Sequence, residues 1–411
     1  MIRLDKYSIG FLGLLLFHFT ILFFVIDNYS ISYKEAIIYF DNTASFLHYL
    51  THFSIWLLGH NDYGLRIPFV VLYLASSSLL YIITKDYFRN ERDRLICVAI
   101  FMVLPGVNSA AILVNSSIVV VFFTLLYLYL YKVTKSYNYW FLILLVFIDN
   151  SFAVLFLALF FYSLQKKENI LLVISLVLFG ISMSIYGFEI GGKPKCYFIE
   201  TFMMYVSIFS PLLFLYFFYA LYRVGIKWEK DLFWYISMTA LVLSLLFSLR
   251  QKVIIEDFAP FVVISIPLMV KLFIHSLRIR LKEFRGMHYL LLRVSIIILV
   301  LNFFLLIGNK YFYLVMENPQ KHFARRHHIA KTLADNLKCL EINNITTSSK
   351  RLTKRLNFYG IKTGSDYYIT TFKFKNPYKV IKIKFYDTTL ATYYVLDRTK
   401  KSTSKLTTEF R

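Results

Sequence analysis

Apolar runs of about 16 to 22 residues recur from Phe11 to Leu306 and then stop. A run of that length is what a bilayer core requires, and one chain seldom carries many unless it crosses repeatedly. Composition agrees: 58% of the 411 residues are hydrophobic and 17% are charged, against roughly half and a quarter in soluble domains. Beyond Gly308 the chain turns rich in Lys, Arg, Thr and Asn. The expected organisation is therefore a transmembrane body over 1–308 and a basic water-soluble domain over 309–411.

The fold class expected is a polytopic α-helical membrane protein of about eleven helices with a small C-terminal α/β domain. The spans fall at 8–26, 66–84, 95–114, 117–131, 139–148, 151–164, 170–187, 203–222, 232–248, 258–276 and 288–307. The fifth and sixth meet at Asp149-Asn150-Ser151, and one long span over 139–164 is the alternative. Loop charge decides for two. With two spans, the loops carrying Lys85/Arg89/Arg92/Arg94, Lys132/Lys135, Lys166/Lys167, Arg223/Lys227/Lys230 and Arg278/Arg280/Lys282/Arg285 all face the cytoplasm, as the positive-inside bias asks. The N-terminus is then cytoplasmic, and loops 27–65, 188–202 and 249–257 and the C-terminal domain are external. Asp149-Asn150 becomes an external turn rather than an intramembrane site. Phe11–Val25 is followed by no small-residue cleavage site and reads as a retained helix.

The net charge of +22 invites a nucleic-acid partner. The basic residues of the body sit in short loops, where topology accounts for them, and those of the tail suit anionic headgroups. Three cysteines set no disulfide framework; Cys196 and Cys339 fall on one side and are either free or paired.

Loop 27–65 is too long for a plain connection. Thr43–Leu58 is amphipathic at helical spacing and reads as a helix lying in the interface. Upstream, Glu35 is a carboxylate whose desolvation at the interface would suit it to accept a proton. A solvated partner of Lys34 is the other reading, and Asp27 and Asp41 are rival carboxylates. His48 and His52 share a helix face at metal-ligand spacing, but no third ligand is placed, so interfacial polar residues or acceptor contacts are the readings that suit them better.

The order of these parts resembles the GT-C superfamily, in the branch of the protein mannosyltransferases and the lipid A aminoarabinose transferase. The carrying segments are Leu57-Leu-Gly-His-Asn-Asp-Tyr-Gly-Leu-Arg-Ile-Pro68, Met102-Val-Leu-Pro105 followed by Asn108 and Asn115, Ser248-Leu-Arg-Gln-Lys through Pro260, and Arg355-Leu-Asn-Phe-Tyr-Gly360. Lys34-Glu35 stands where that family has an Asp-Glu pair, Ala44-Ser45-Phe46 where it has Lys/His-Pro-Pro-Leu, and Asn115 near where it often has Asp.

The resemblance implies an enzyme of a bacterial inner membrane that passes a sugar from a polyprenyl-phosphate donor to a lipid A, glycan or protein acceptor on the outer face. Glu35 is then the candidate base, and Arg66, Arg250 and Lys252 the candidate phosphate ligands, because negative charge grows on the leaving phosphate. His48, His52, Asn115 and Asp41 are candidate donor or acceptor contacts, with Lys193, Lys195 and Glu200 near by in sequence order on another external loop. No cofactor is called, a divalent metal is left open, and a monomer is expected. Two other readings are a non-catalytic scaffold that keeps this architecture and a transporter or flippase of a lipid-linked substrate. The second of these lacks the paired halves expected of a transporter.

In the tail, 322–338 reads as a helix, Cys339–Thr346 as a strand and Lys350–Phe358 as a helix. Lys379–Phe385 alternates as a half-exposed strand, with Thr392–Leu396 as its partner. Arg325-Arg-His-His328 reads as a basic helix start near the membrane surface, and Thr399–Arg411 as disordered.

Overall fold

The computed structural model describes residues 5–41, 45–187, 194–281, 283, 285–374, 377–386 and 388–398. Lys193 and the segment Thr399–Arg411 lie outside them.

The helices in chain order are α1 Lys6–Ile26, α2 Tyr33–Phe40, α3 Phe46–Leu58, α4 Asp62–Ile83, α5 Glu91–Val103, α6 Pro105–Ile112, α7 Ser116–Thr134, α8 Tyr139–Val146 and α9 Phe152–Lys166. They continue as α10 Asn169–Ile185, α11 Phe198–Phe209, α12 Pro211–Lys227, α13 Leu232–Phe247, α14 Ala259–Val263, α15 Ile266–Ile279, α16 Arg285–Ile307, α17 Ala330–Cys339 and α18 Lys350–Phe358. The strands are β1 Asn344–Thr347, β2 Lys362–Thr363, β3 Tyr367–Thr370, β4 Lys379–Phe385 and β5 Thr388–Asp397.

The chain divides into two compact units. The first comprises Met1–Phe23, Ala44–Leu50 and Arg66–Ile307. The second gathers Gly308–Arg411 with Phe24–Thr43 and Thr51–Leu65. Most of loop 27–65, allotted to the body on sequence, is thus grouped with the C-terminal segment.

In the first unit each expected span is helical, but not all are long enough to cross. Among the described residues five helices qualify by length and composition, or seven if each bent pair is one span. Helix α8 has 8 residues, about 12 Å of rise against a core of roughly 30 Å. Five to seven membrane-capable helices are thus present among the described residues, beside shorter apolar helices at Phe152–Lys166, Asn169–Ile185 and Leu232–Phe247. Residues 139–166 do form two helices, turning at Asp149-Asn150.

Prolines explain the breaks. Pro105 and Pro211 each open a helix, and the preceding axes bend there by 58° and 105°. A proline supplies no N–H and is tolerated at a first helical position. The spans 95–114 and 203–222, read as continuous, are broken for this reason. The carbonyls at the first break are satisfied from the side. Asn108 Nδ2 donates to Met102 O at 2.7 Å and Leu104 O at 2.8 Å, and Tyr73 OH donates to Met102 O at 2.9 Å.

The second unit is built on a five-stranded sheet of order β2-β1-β3-β5-β4. β1 lies parallel to β2 and β3, while β5 runs antiparallel to β3 and β4. Alternation along β4 holds as expected: Ile381 and Ile383 are buried between exposed lysines. The core joins Leu333 and Leu337 of α17 and Leu356 of α18 to Ile345, Ile369 and Val395 of the sheet. The expected helix 322–338 is α17 alone, preceded by short 3-10 turns at Pro319–Lys321 and Arg325–His328. The expected strand 339–346 shortens to β1, and β5 is longer than Thr392–Leu396. All three cysteines are free, with Cys97 buried.

His328 is buried rather than exposed at a surface. Its Nδ1 meets Tyr313 OH at 3.0 Å, and its Nε2 has no partner among the described residues. Burial first, then the charges of Lys310, His322 and His327, hold its pKa at about 3 against an ordinary 6.5. The folded value lies below the unfolded one, so the neutral form stabilises the fold fully above the unfolded pKa. That stability drains as pH falls from about 6.5 toward 3. At pH 5.5 the expected loss is about 1 kcal/mol. Thermal midpoints between pH 7.5 and 5 should fall in the native chain, and a His328→Phe chain should show a flatter profile.

Candidate functional site

The second unit holds Glu35 in a built environment. Ser32 opens α2 with its hydroxyl accepting from Glu35 N at 3.2 Å, and Glu35 Oε2 accepts from Ser32 N at 2.6 Å. This reciprocal pair is a capping box, which satisfies two backbone donors at a helix start. Glu35 is 1% exposed, so the reading of a solvated residue paired with Lys34 gives way to a buried one.

Helix α18 packs against this segment and fixes it. Arg355 Nε donates to Ile31 O at 2.6 Å and Nη2 to Ser30 Oγ at 3.1 Å; Nη2 also reaches Arg326 O. Burial lowers the Arg355 pKa, while Tyr359, Tyr393 and Glu35 pull it upward. Tyr359 OH accepts from Ile31 N at 2.8 Å and donates to Asp62 Oδ1 at 2.8 Å. Asp41 is held by Lys354 at 2.6 Å. His52 stacks on Tyr39 and meets Tyr39 O through Nε2 at 2.9 Å, so one of its nitrogens is already bonded within the unit.

The loop before α4 depends on glycine. Gly59 has φ of +88°, and a Cβ at Gly64 would lie 2.2 Å from Gly59 O. Ser54 Oγ donates to Gly64 O at 2.6 Å, and Gly64 N donates to Asn61 Oδ1 at 2.6 Å. This tight loop turns His60, Asn61 and Asp62 toward α17 and α18, and His60 Nε2 meets Phe358 O at 2.8 Å. Sequence reasoning missed Asp62, Lys331 and Tyr359. Two of them lay inside segments already singled out, Leu57–Pro68 and Arg355–Gly360, but their pairing is long-range.

The first unit holds the cationic candidates. Arg66 is fully buried near the start of α4. Residues 195–197 and 248–250 run side by side, with Lys195 N donating to Arg250 O at 3.2 Å and Tyr197 N to Ser248 O at 2.7 Å. That pairing brings Lys195, Arg250 and Lys252 onto one patch, with Lys252 bound to Glu200 at 3.0 Å. Asn115 caps α7 by accepting from Ser117 N at 3.1 Å, and Ser117 Oγ donates to Glu256 O at 3.2 Å. Beside them Gly106, Leu113, Val121, Ile208 and Pro260 line an apolar cavity of about 220 Å³. His48, on the N-terminal half of α3, is half-buried beside Tyr49.

Residues 42–149 match the family model of the dolichyl-phosphate-mannose-protein mannosyltransferases. That stretch runs through α3 and the helices to α8, and the GT-C resemblance read from the sequence stands there. No curated protein matches the chain. Among solved structures the chain is similar to the crystal structure of ArnT from Cupriavidus metallidurans bound to undecaprenyl phosphate. The identity is 10% and the TM-score 0.48, over 86% of this chain and 75% of that one.

Proposed function

We propose that this chain is a glycosyltransferase that moves a sugar from a polyprenyl-phosphate carrier to an acceptor at the outer face of a bacterial inner membrane. The observation that carries the reading is the family match over 42–149. Family members of that description draw mannose from a lipid-linked phosphate, and the membrane-capable helices give such a carrier a lipid phase for its tail.

In this reading the acceptor hydroxyl attacks the anomeric carbon as the bond from that carbon to the phosphate oxygen breaks. The hydroxyl proton passes to Glu35, and the electron pair leaves with the polyprenyl phosphate. Arg66, Arg250 and Lys252 neutralise the phosphate charge; the Arg guanidinium suits bidentate contact, and Lys acts as a point charge. Lys252 must exchange Glu200 for phosphate, which costs little because an exposed pair is worth under about 1 kcal/mol. Asn115, His48, His52 and Asp41 are proposed to contact donor or acceptor. The N-terminus is placed in the cytoplasm and the C-terminal domain in the periplasm on the charge of the loops.

A second reading is favoured by one observation: Glu35 spends an oxygen on a helix cap, which suits a scaffold as well as an enzyme. Mass spectrometry of envelope glycolipids and glycoproteins, with and without the gene, separates the two. Transfer predicts that one hexose- or aminosugar-sized increment disappears from a defined molecule. Unchanged glycans in cells that make the protein would leave the scaffold.

A further inference from the structure

We propose that the second unit carries a saccharide-binding subsite, in a cavity of about 390 Å³ where His60–Tyr63, α17 and the end of α18 meet. The inference rests on the transfer reading, and the ring bound here would be a sugar of the acceptor.

The cavity is assembled by the two segments that the sequence marks out. Leu57–Pro68 supplies His60, Asn61, Asp62 and Tyr63, and Arg355–Gly360 supplies Phe358, Tyr359 and Gly360. Gly360 closes α18 at φ +88°, with Lys338 Cε 4.0 Å from where a Cβ would stand. The third wall is one face of α17, since Lys331, Asp335 and Lys338 follow helical spacing.

The polar groups at its base are fixed. Asp62 is 3% exposed. Its Oδ2 lies 3.3 Å from Lys331 Nζ, which also binds Asp27 at 2.5 Å. With Tyr359 OH on Asp62 Oδ1 at 2.8 Å, these groups form a chain of alternating donors and acceptors. Burial lowers the Lys331 pKa, but Asp27 and Asp62 outweigh it and raise the value, so the ammonium persists. Asp335 and Lys338 stand exposed on the outer wall and form no ion pair among the described residues.

This chemistry selects a ligand class. Three carboxylates against two ammonium groups oppose a phosphate or any other anion. Five charged side chains oppose an alkyl tail, whose entry would desolvate them without return. A pyranose presents hydroxyls that both donate and accept, so it answers carboxylate and ammonium alike, and Tyr63 and Tyr359 offer aromatic surface to its C–H face. The volume sits near the lower end of the roughly 300–1,000 Å³ usual for small-molecule sites.

The test is saturation-transfer NMR on the purified full-length protein, with free glucose, galactose, mannose and N-acetylglucosamine at millimolar concentration. At least one is expected to receive saturation, and an Asp335→Asn, Lys338→Met chain should lose most of it. Both side chains are exposed, so an unchanged thermal midpoint certifies the fold. Saturation reaching none of the sugars overturns the proposal. So does equal transfer to native and substituted chains, or preferential binding of inorganic phosphate or a Ser/Thr-containing peptide. Donor-dependent sugar transfer is assayed separately. A chain that transfers sugar but binds none here loses only this subsite; one that binds sugar here but transfers none loses the catalytic reading.

Discussion

A Glu35→Gln chain is expected to fold like the native one and to lose sugar transfer by about 10²–10⁴-fold, the usual contribution of a positioned general base. The Glu35 side chain caps α2 through one oxygen, Oε2, on Ser32 N at 2.6 Å. A capping box accepts Gln as readily as Glu, and Gln keeps an acceptor oxygen at the same reach. Only the negative charge and the capacity to take a proton are removed. The Gln chain should lose some stability, because the charge that also pulls up the buried Arg355 is gone, but it should still fold, while turnover of a labelled polyprenyl-phosphate sugar should collapse. Equal turnover at equal abundance would sink the catalytic role and leave Glu35 as a cap. An Ala at this position removes cap and charge together and cannot separate them.

How far the sequence discloses this molecule depends on the range of the interaction involved. Lys350–Phe358 and Lys379–Phe385 are read with their observed limits, because helical and strand periodicities are local signals. The break at Pro105 is a local effect of a proline on its own helix, yet span 95–114 is read straight through it. Helix α2 was passed over although Ser32 and Glu35 stand at capping-box spacing, because 8 residues give too short an apolar period to stand out. β2 and β3, of 2 and 4 residues, are hidden for the same reason. The contacts that shape the candidate site are further out of reach. Tyr359 and Asp62 are 297 residues apart, and Arg355 and Ile31 are 324 apart. Neither composition nor spacing announces such pairs. Sequence reading singled out the segments around Glu35 and Asp62 and named the cations Arg66, Arg250 and Lys252, but it left Glu35 open between a solvated and a desolvated carboxylate, and its burial follows from long-range packing.

The same packing makes Arg355 and Lys354 a controlled pair, because adjacent residues of one helix hold the same segment under different burial. Arg355 is 8% exposed and donates to Ile31 O, Ser30 Oγ and Arg326 O. Arg355→Met keeps the aliphatic length and removes every donor, leaving the carbonyl of buried Ile31 without this partner. Hydrogen bonds from a charged group are worth about 1.5–3 kcal/mol each, and an orphaned buried acceptor costs about 1–3 kcal/mol. The expected loss is about 3–5 kcal/mol, which converts to a rise of roughly two to three and a half decades in the open population of residues 24–41. Lys354 makes its ion pair with Asp41 at 2.6 Å, but the two side chains are 34% and 43% exposed. Solvent screens such a pair, so Lys354→Ala should cost under about 1 kcal/mol. Hydrogen exchange across 24–41 reads both. If the two chains exchange alike, burial does not govern how α18 grips this segment, and the placement of Glu35 must have another cause.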